Sequence, residues 1–211
     1  MKLYAGLAAI VGWFALGLQL ILLMGKDDGQ SGLMHFTNFF SYFTILSNIL
    51  VATALTASKV GGSDRVAMWL RRPTVQTAAA LYITVTGLVY TFILAGIWAP
   101  TGWDRVADQL LHYAMPVIFL LFWIAFVEKG TLRFRHVPLF LIFPVIYGAY
   151  SLIRGPIVDW YPYPFLDVRV HEWGGVAVNV AVMTAGFALL AALFVLLDNF
   201  LGRARRAPVG A

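Results

Sequence analysis

The stretch Gly175-Val-Ala-Val-Asn-Val-Ala-Val-Met-Thr-Ala-Gly-Phe-Ala-Leu-Leu-Ala-Ala-Leu-Phe-Val-Leu-Leu-Asp-Asn-Phe200 is an apolar run of 26 residues. A helix needs about 20 such residues to cross the hydrocarbon core of a bilayer. Five more runs of this kind precede it, at about Leu3 to Met24, Phe36 to Ala57, Val75 to Trp98, Gln109 to Val127 and Val137 to Ile153. The fifth of the six is the shortest and holds Pro138 and Pro144, so a kink, a strong tilt or a partial span is expected there. The first follows a single Lys2, but it is too long for a signal peptide and no small-x-small cleavage site follows Met24. Over 211 residues the chain is 61% hydrophobic and 12% charged, with a mean hydropathy of +0.80. Soluble globular domains fall well short of that. The expected fold is an all-α polytopic membrane protein, a single six-helix transmembrane bundle over residues 1–211.

Charge and cysteine usage narrow the function classes. The absence of cysteine removes disulfides, thiolate metal sites and a cysteine nucleophile. The pI near 9.6 invites a nucleic-acid reading, but the basic residues are spread over short connections between helices and form no arm or face. Topology accounts for them better. Eleven of the fifteen Lys and Arg lie on the N-terminus, two alternate loops and the tail: Lys2, Lys59, Arg65, Arg71, Arg72, Lys129, Arg133, Arg135, Arg203, Arg205 and Arg206. The other connections carry Lys26, Arg105, Arg154 and Arg169. The positive-inside rule then makes both termini cytoplasmic. Seven of the ten acids (Asp27, Asp28, Asp104, Asp108, Asp159, Asp167, Glu172) fall on the outward face, which in a bacterium is periplasmic.

Two segments at the outward end could carry chemistry. His35-Phe-Thr-Asn-Phe-Phe-Ser-Tyr-Phe-Thr-Ile-Leu-Ser-Asn48 places Thr37, Ser41, Thr44 and Asn48 at offsets 0, 4, 7 and 11, one face of a continuous helix. Hydrocarbon supplies no hydrogen-bond partner, so that stripe is expected to face protein or a water-filled cavity, with Thr44 roughly 12 Å into its helix. In Asp108-Gln-Leu-Leu-His112 the carboxylate and the imidazole are four residues apart on the first turns of the fourth helix. Asp108 can therefore fix the tautomer of His112 and raise its basicity. Thr44 and His112 share a depth by topology, and contact between their helices would assemble a nucleophile, a base and an orienting acid.

The outer loop Asp159-Trp-Tyr-Pro-Tyr-Pro-Phe-Leu-Asp167 suits the membrane interface, or a cover for a lipid tail shaped by Tyr163, Phe165 and Asp167. Arg169 and His171 follow it and could meet an anionic head group. Asn179 suits either a hydrogen bond between helices or the lining of a site. Thr77, Thr84 and Thr91, spaced by seven with Ala80 and Gly87 between them, describe a close-packing face. The donors His35, Asp108, His112, Asp167, His171 and Glu172 would suit zinc, yet they follow no paired-ligand spacing, and neither a metal nor another cofactor is expected.

Through Tyr-Phe-Thr44-Ile-Leu-Ser-Asn, Leu-Leu-His112-Tyr-Ala-Met-Pro116 and Tyr163-Pro-Phe-Leu-Asp167, the chain resembles the family of androgen-induced protein and androgen-dependent TFPI-regulating protein, with its bacterial six-helix relatives. The resemblance follows most of the chain in order and spacing. It implies a membrane threonine hydrolase of fatty acid esters of hydroxy fatty acids, with Thr44 as nucleophile, His112 as general base and the aromatic-proline loop as the family's outer-loop motif. Asn48, Ser47 and Tyr42 are the nominees for stabilising an oxyanion, and Thr37 and Ser41 for lining the way in. The competing expectations are a lipid-binding or transport bundle without catalysis, and a metal-dependent membrane hydrolase. In each case the partner is a membrane lipid or acyl ester.

Overall fold

A computed structural model describes residues 1–206, so residues 207–211 of the expected domain lie outside the described residues. The protein is 82% helical without a strand among the described residues, and six helices are long and apolar enough to cross a membrane. These spans are Lys2–Met24, Phe43–Val60, Pro73–Leu94, Gly102–Phe126, Phe134–Val158 and Val168–Arg205. The chain divides into two compact units, Met1–Glu128 and Lys129–Ala211.

The first unit holds α1 (Lys2–Met24), α2 (Gly32–Phe39), α3 (Phe43–Val60), α4 (Arg65–Leu70), α5 (Pro73–Val89), α6 (Gly102–Gln109) and α7 (Met115–Phe126). Its spans pack in a ring: α1 against α3, α3 against α5, α5 against α7, and α7 back against α1. Small residues permit the closeness. Ala5, Ala8, Ala9, Gly12 and Ala15 are buried along α1, and a Cβ on Gly12 would come within 2.9 Å of Met115 Cε. Side-chain hydrogen bonds then clamp neighbouring helices, among them Tyr4 Oη to Ile118 O (2.7 Å), Trp123 Nε1 to Thr77 Oγ1 (2.8 Å) and Gln76 Nε2 to Ser58 Oγ (2.9 Å).

Several stretches differ from the expected continuous runs, and the fifth and sixth spans are longer than expected, at Phe134–Val158 and Val168–Arg205. The second run is not one helix: α2 ends at Phe39 and α3 begins at Phe43. Ser41 Oγ donates to Thr37 O at 2.7 Å, the acceptor that the Ser41 amide would use in an α-helix, and that amide instead reaches Asn38 O at 2.9 Å. This side-chain competition tightens the turn and leaves Tyr42 extended (φ −86, ψ 129) as the N-cap of α3. The fourth span starts at Gly102 rather than Gln109, because its opening turns carry Asp104, Arg105 and Asp108 and so lie outside the apolar run. Two π-turns also interrupt the spans, at Tyr90–Leu94 after α5 and at Leu110–Ala114 between α6 and α7. Pro116 explains the second. It has no N–H to give His112 O four residues back, and the turn before it widens so that Met115 N reaches Leu110 O.

The second unit pairs α8 (Val137–Val158) with α9 (Val168–Arg206). α8 runs through both Pro144 and Pro156. α9 is broken at Glu172 (φ 52, ψ 171), a conformation that costs a side-chain-bearing residue energy and separates a short first turn from the long helix. Asp198, fully buried on α9, accepts from Thr131 N and Leu132 N at 2.9 Å each, while Gly130 N donates to Asp198 O at 3.0 Å. The Lys129 to Leu132 connection is thereby folded onto the helix. Gly202 makes that approach possible: a Cβ there would lie 2.6 Å from both Gly130 Cα and Gly130 N. Gly202→Ala is therefore expected to destabilise the protein by about 1–3 kcal/mol, the usual cost of overpacking a tight contact. Thermal unfolding in detergent reads this as a lowered midpoint, and an unchanged midpoint would contradict the close approach.

Candidate active site

Thr44 is the second residue of α3, not a residue well inside a longer helix. The extended Tyr42 opens the helix, its carbonyl accepting from Ile45 N and Leu46 N at 3.1 Å each. Thr44 thus sits at the end of an 18-residue helix where the backbone dipoles favour negative charge. The side chain is buried, and its Oγ1 lies 3.2 Å from His112 Nε2.

His112 projects from the second π-turn, ten residues beyond the start of its span rather than on its first turns. Its Nδ1 stands 3.1 Å from Asp108 Oδ1 and 3.1 Å from the Asp108 carbonyl oxygen. Both groups are acceptors, so the proton belongs on Nδ1 and Nε2 is left with a lone pair facing the Thr44 hydroxyl. Asp108 is 5% exposed and its other oxygen, Oδ2, accepts from Tyr90 Oη at 2.6 Å. The Tyr90 ring stacks on the imidazole with centroids 4.0 Å apart and planes 17° from parallel. Thr44, His112 and Asp108 therefore come together from α3, the second π-turn and the end of α6, with Tyr90 added from a fourth segment.

Tyr90 is absent from the residues that the sequence singles out. Its one signal is position: it follows Gly87 by three residues, one turn along the face on which a Cβ at Gly87 would come within 3.2 Å of His112 O.

The other members of the stripe take different places. Asn48 Nδ2 donates to Thr44 O at 2.8 Å and to Leu111 O at 3.2 Å, which uses both amide hydrogens on backbone carbonyls. Ser47 Oγ lies 3.0 Å from Thr44 O and 2.9 Å from Thr86 Oγ1, and Thr86 in turn donates to Tyr82 O. These side chains hold α3 against its neighbours, so neither is a donor aimed at an oxyanion. Ser41 is buried and spent on Thr37 O, whereas Thr37 is exposed and donates to Met34 O at 3.0 Å. The break at Phe40 to Tyr42 is the reason, because it ends the shared face.

Tyr163, Phe165, Asp167 and Asn179 belong to the second unit and form their own cluster. The rings of Tyr163 and Phe165 stack at 5.2 Å, and Asn179 Nδ2 donates to Phe165 O at 2.9 Å, pinning the loop to α9. Asp167 receives Arg169 Nε and Arg169 Nη2 at 2.9 and 2.6 Å, and the same guanidinium reaches Asp159 Oδ1 at 2.6 Å. Arg169 is thus paired with two carboxylates rather than presented to a head group. Its hydrogen bonds hold the Asp167 carboxyl below the usual carboxylate range, against burial, which acts the other way. His35, a nominal zinc donor, instead faces Asp28 Oδ1 at 3.2 Å. No three of His, Cys, Asp and Glu gather to hold a metal among the described residues.

No family model, curated protein or solved structure matches the chain.

Two expectations follow. Asn48→Ala takes the donor from Leu111 O and one of the donors from Thr44 O, and is expected to cost about 1–3 kcal/mol in thermal unfolding, while exposed Thr37→Ala changes stability by less than about 0.5 kcal/mol. Equal effects of the two would contradict the roles assigned here. Because the hydrogen bonds from Arg169 lower the pKa of Asp167 in the folded state, its contribution is fully present above the ordinary value of 3.8 and is lost as pH falls through the lower folded value. Protection of the 159–167 amides against hydrogen exchange, relative to their intrinsic rates, should accordingly fall only below about pH 4, and Arg169→Ala should abolish that dependence.

Proposed function

We propose that this protein is an intramembrane lipid-ester hydrolase in which Thr44 is the nucleophile, His112 its general base and Asp108 the group that orients the base. The observation that carries this reading is the 3.2 Å separation of Thr44 Oγ1 and His112 Nε2, with the far nitrogen of the same ring held by Asp108. His112 Nε2 takes the hydroxyl proton as Thr44 Oγ1 attacks the ester carbonyl carbon. The tetrahedral intermediate collapses with cleavage of the ester C–O bond, and the imidazolium returns the proton to the leaving alkoxide. Water, deprotonated by His112, then attacks the acyl-threonine, releasing the carboxylic acid and restoring the Thr44 hydroxyl.

The start of α3 supports the same chemistry. With Asn48 and Ser47 engaged elsewhere, the positive end of the α3 dipole is the feature suited to the developing oxyanion. Burial of Thr44 and Asp108 makes these electrostatic terms count for more than they would in water.

The substrate class comes from the resemblance at Thr44, His112 and the Tyr163 to Asp167 loop, which points to fatty acid esters of hydroxy fatty acids. The distribution of Lys and Arg adds the location: both termini cytoplasmic and Thr44 toward the outer leaflet, the periplasmic side if the source is bacterial.

A fluorophosphonate probe tests the assignment. Labelling is expected in the wild type and in Thr44→Ser, and is lost in Thr44→Ala. His112→Ala and Asp108→Asn should slow ester hydrolysis by about 10²–10⁴-fold. Labelling that persists in Thr44→Ala would sink the nucleophile assignment.

A further inference from the structure

We infer that Tyr90 is a positioning residue for His112, acting through Asp108 and through the face of the imidazole at once; the inference rests on the Thr44 and His112 reading above. Asp108 and His112 lie on one continuous stretch of helix, so their mutual contact at 3.1 Å does not by itself fix where the ring points relative to α3. Both side chains retain torsional freedom that a partner on another helix has to remove. Tyr90 is that partner. Its hydroxyl donates to Asp108 Oδ2 at 2.6 Å, a short bond to a carboxylate, and this holds the other oxygen toward His112 Nδ1. Its ring lies nearly parallel to the imidazole at 4.0 Å, which sets the plane of His112 and aims Nε2 at Thr44 Oγ1.

The stack also changes strength during the proposed reaction. A neutral imidazole over a tyrosine ring has ordinary stacking, whereas an imidazolium gains attraction to the electron-rich face. The contact therefore strengthens as His112 takes the Thr44 proton, and a contact that strengthens along the reaction raises kcat rather than tightening substrate binding. Tyr113 meets the same tyrosine edge-on at 5.4 Å and limits the tilt of its ring. The backbone supplies the placement, since the π-turn that begins at Tyr90 has Ala95 N reaching Tyr90 O at 2.8 Å.

Two substitutions separate the contacts. Tyr90→Phe keeps the ring and removes the hydroxyl; Tyr90→Leu removes both. For the full chain in detergent acting on a fatty acid ester of a hydroxy fatty acid, Tyr90→Phe should lower kcat by about 10-fold with KM unchanged, the loss expected for one hydrogen bond to a charged group. Tyr90→Leu should lower it further. In an Asp108→Ala background, Tyr90→Phe should add almost nothing, because its partner is gone. A readout independent of turnover is the imidazole N–H proton of His112 in selectively labelled protein: a far-downfield resonance in the wild type and in Thr44→Ala, lost to exchange in Tyr90→Phe. An unchanged kcat and an unchanged resonance in Tyr90→Phe, in a protein that Thr44→Ala inactivates, would overturn the inference alone. Full additivity with Asp108→Ala would overturn it as well. Activity retained in Thr44→Ala would overturn the Thr44 nucleophile assignment instead, and the resonance would still decide whether Tyr90 orients His112.

Discussion

Inside an apolar slab no water completes an interrupted helix, so every backbone group freed by a break has to find its partner within the protein. The first unit is interrupted close to its candidate site, and the compensation for each interruption helps to build that site. At Phe40 to Tyr42, Ser41 turns its hydroxyl onto Thr37 O, the ladder stops, and a fresh helix N-terminus appears one residue before Thr44. At Pro116 the missing N–H widens the preceding turn, and His112 projects from the widened segment. A straight, unbroken pair of helices would place neither Thr44 at a dipole end nor His112 out of the regular helical register.

The number and rough placement of the spans were legible because they depend on a summed quantity. About 20 apolar residues in a row leave a chain few options other than crossing the bilayer, and mixed composition at the ends costs only a few residues of boundary. The interruptions were not legible for the opposite reason. The stop before α3 has no proline or glycine to mark it; it depends on which acceptor one serine hydroxyl takes. The early start at Gly102 was hidden because its first turns carry charged side chains while burying Ala107 and Asp108. Pro116 in the fourth run does not by itself announce a π-turn that redirects the residue four positions earlier.

The candidate site shows the same division. Asp108 and His112 were legible as a pair because a spacing of four survives small changes in helix geometry. Thr44 and His112 were legible as sharing the same end of the bundle, but not by their positions along their helices, because α3 starts at Phe43 and the fourth span at Gly102. The roles of Asn48 and Ser47 were not, since an amide or hydroxyl beside a nucleophile serves equally well as an oxyanion donor or a backbone brace. Their directions, toward Thr44 O, Leu111 O and Thr86 Oγ1, are set by tertiary contact. Tyr90 is not legible in the sequence, because one aromatic among many on an apolar helix has the pattern of packing, and only the fold brings its ring onto His112 and its hydroxyl onto Asp108.

Asn48 ties these strands together. Met115 N is taken by Leu110 O, and the residue five beyond Leu111 is Pro116, which has no N–H, so the Leu111 carbonyl looks outside its own helix for a donor. Asn48 Nδ2 supplies it at 3.2 Å and spends its second hydrogen on Thr44 O at 2.8 Å. One amide therefore holds the backbone of the candidate nucleophile and the backbone next to the candidate base. The hydrogen bond that satisfies the carbonyl stranded by the proline also ties the π-turn that carries His112 to α3, which carries Thr44. An apolar residue of similar size at position 48 would leave the Leu111 carbonyl in want of a donor, and the register of α3 against the π-turn would then lose the hydrogen bond that ties them.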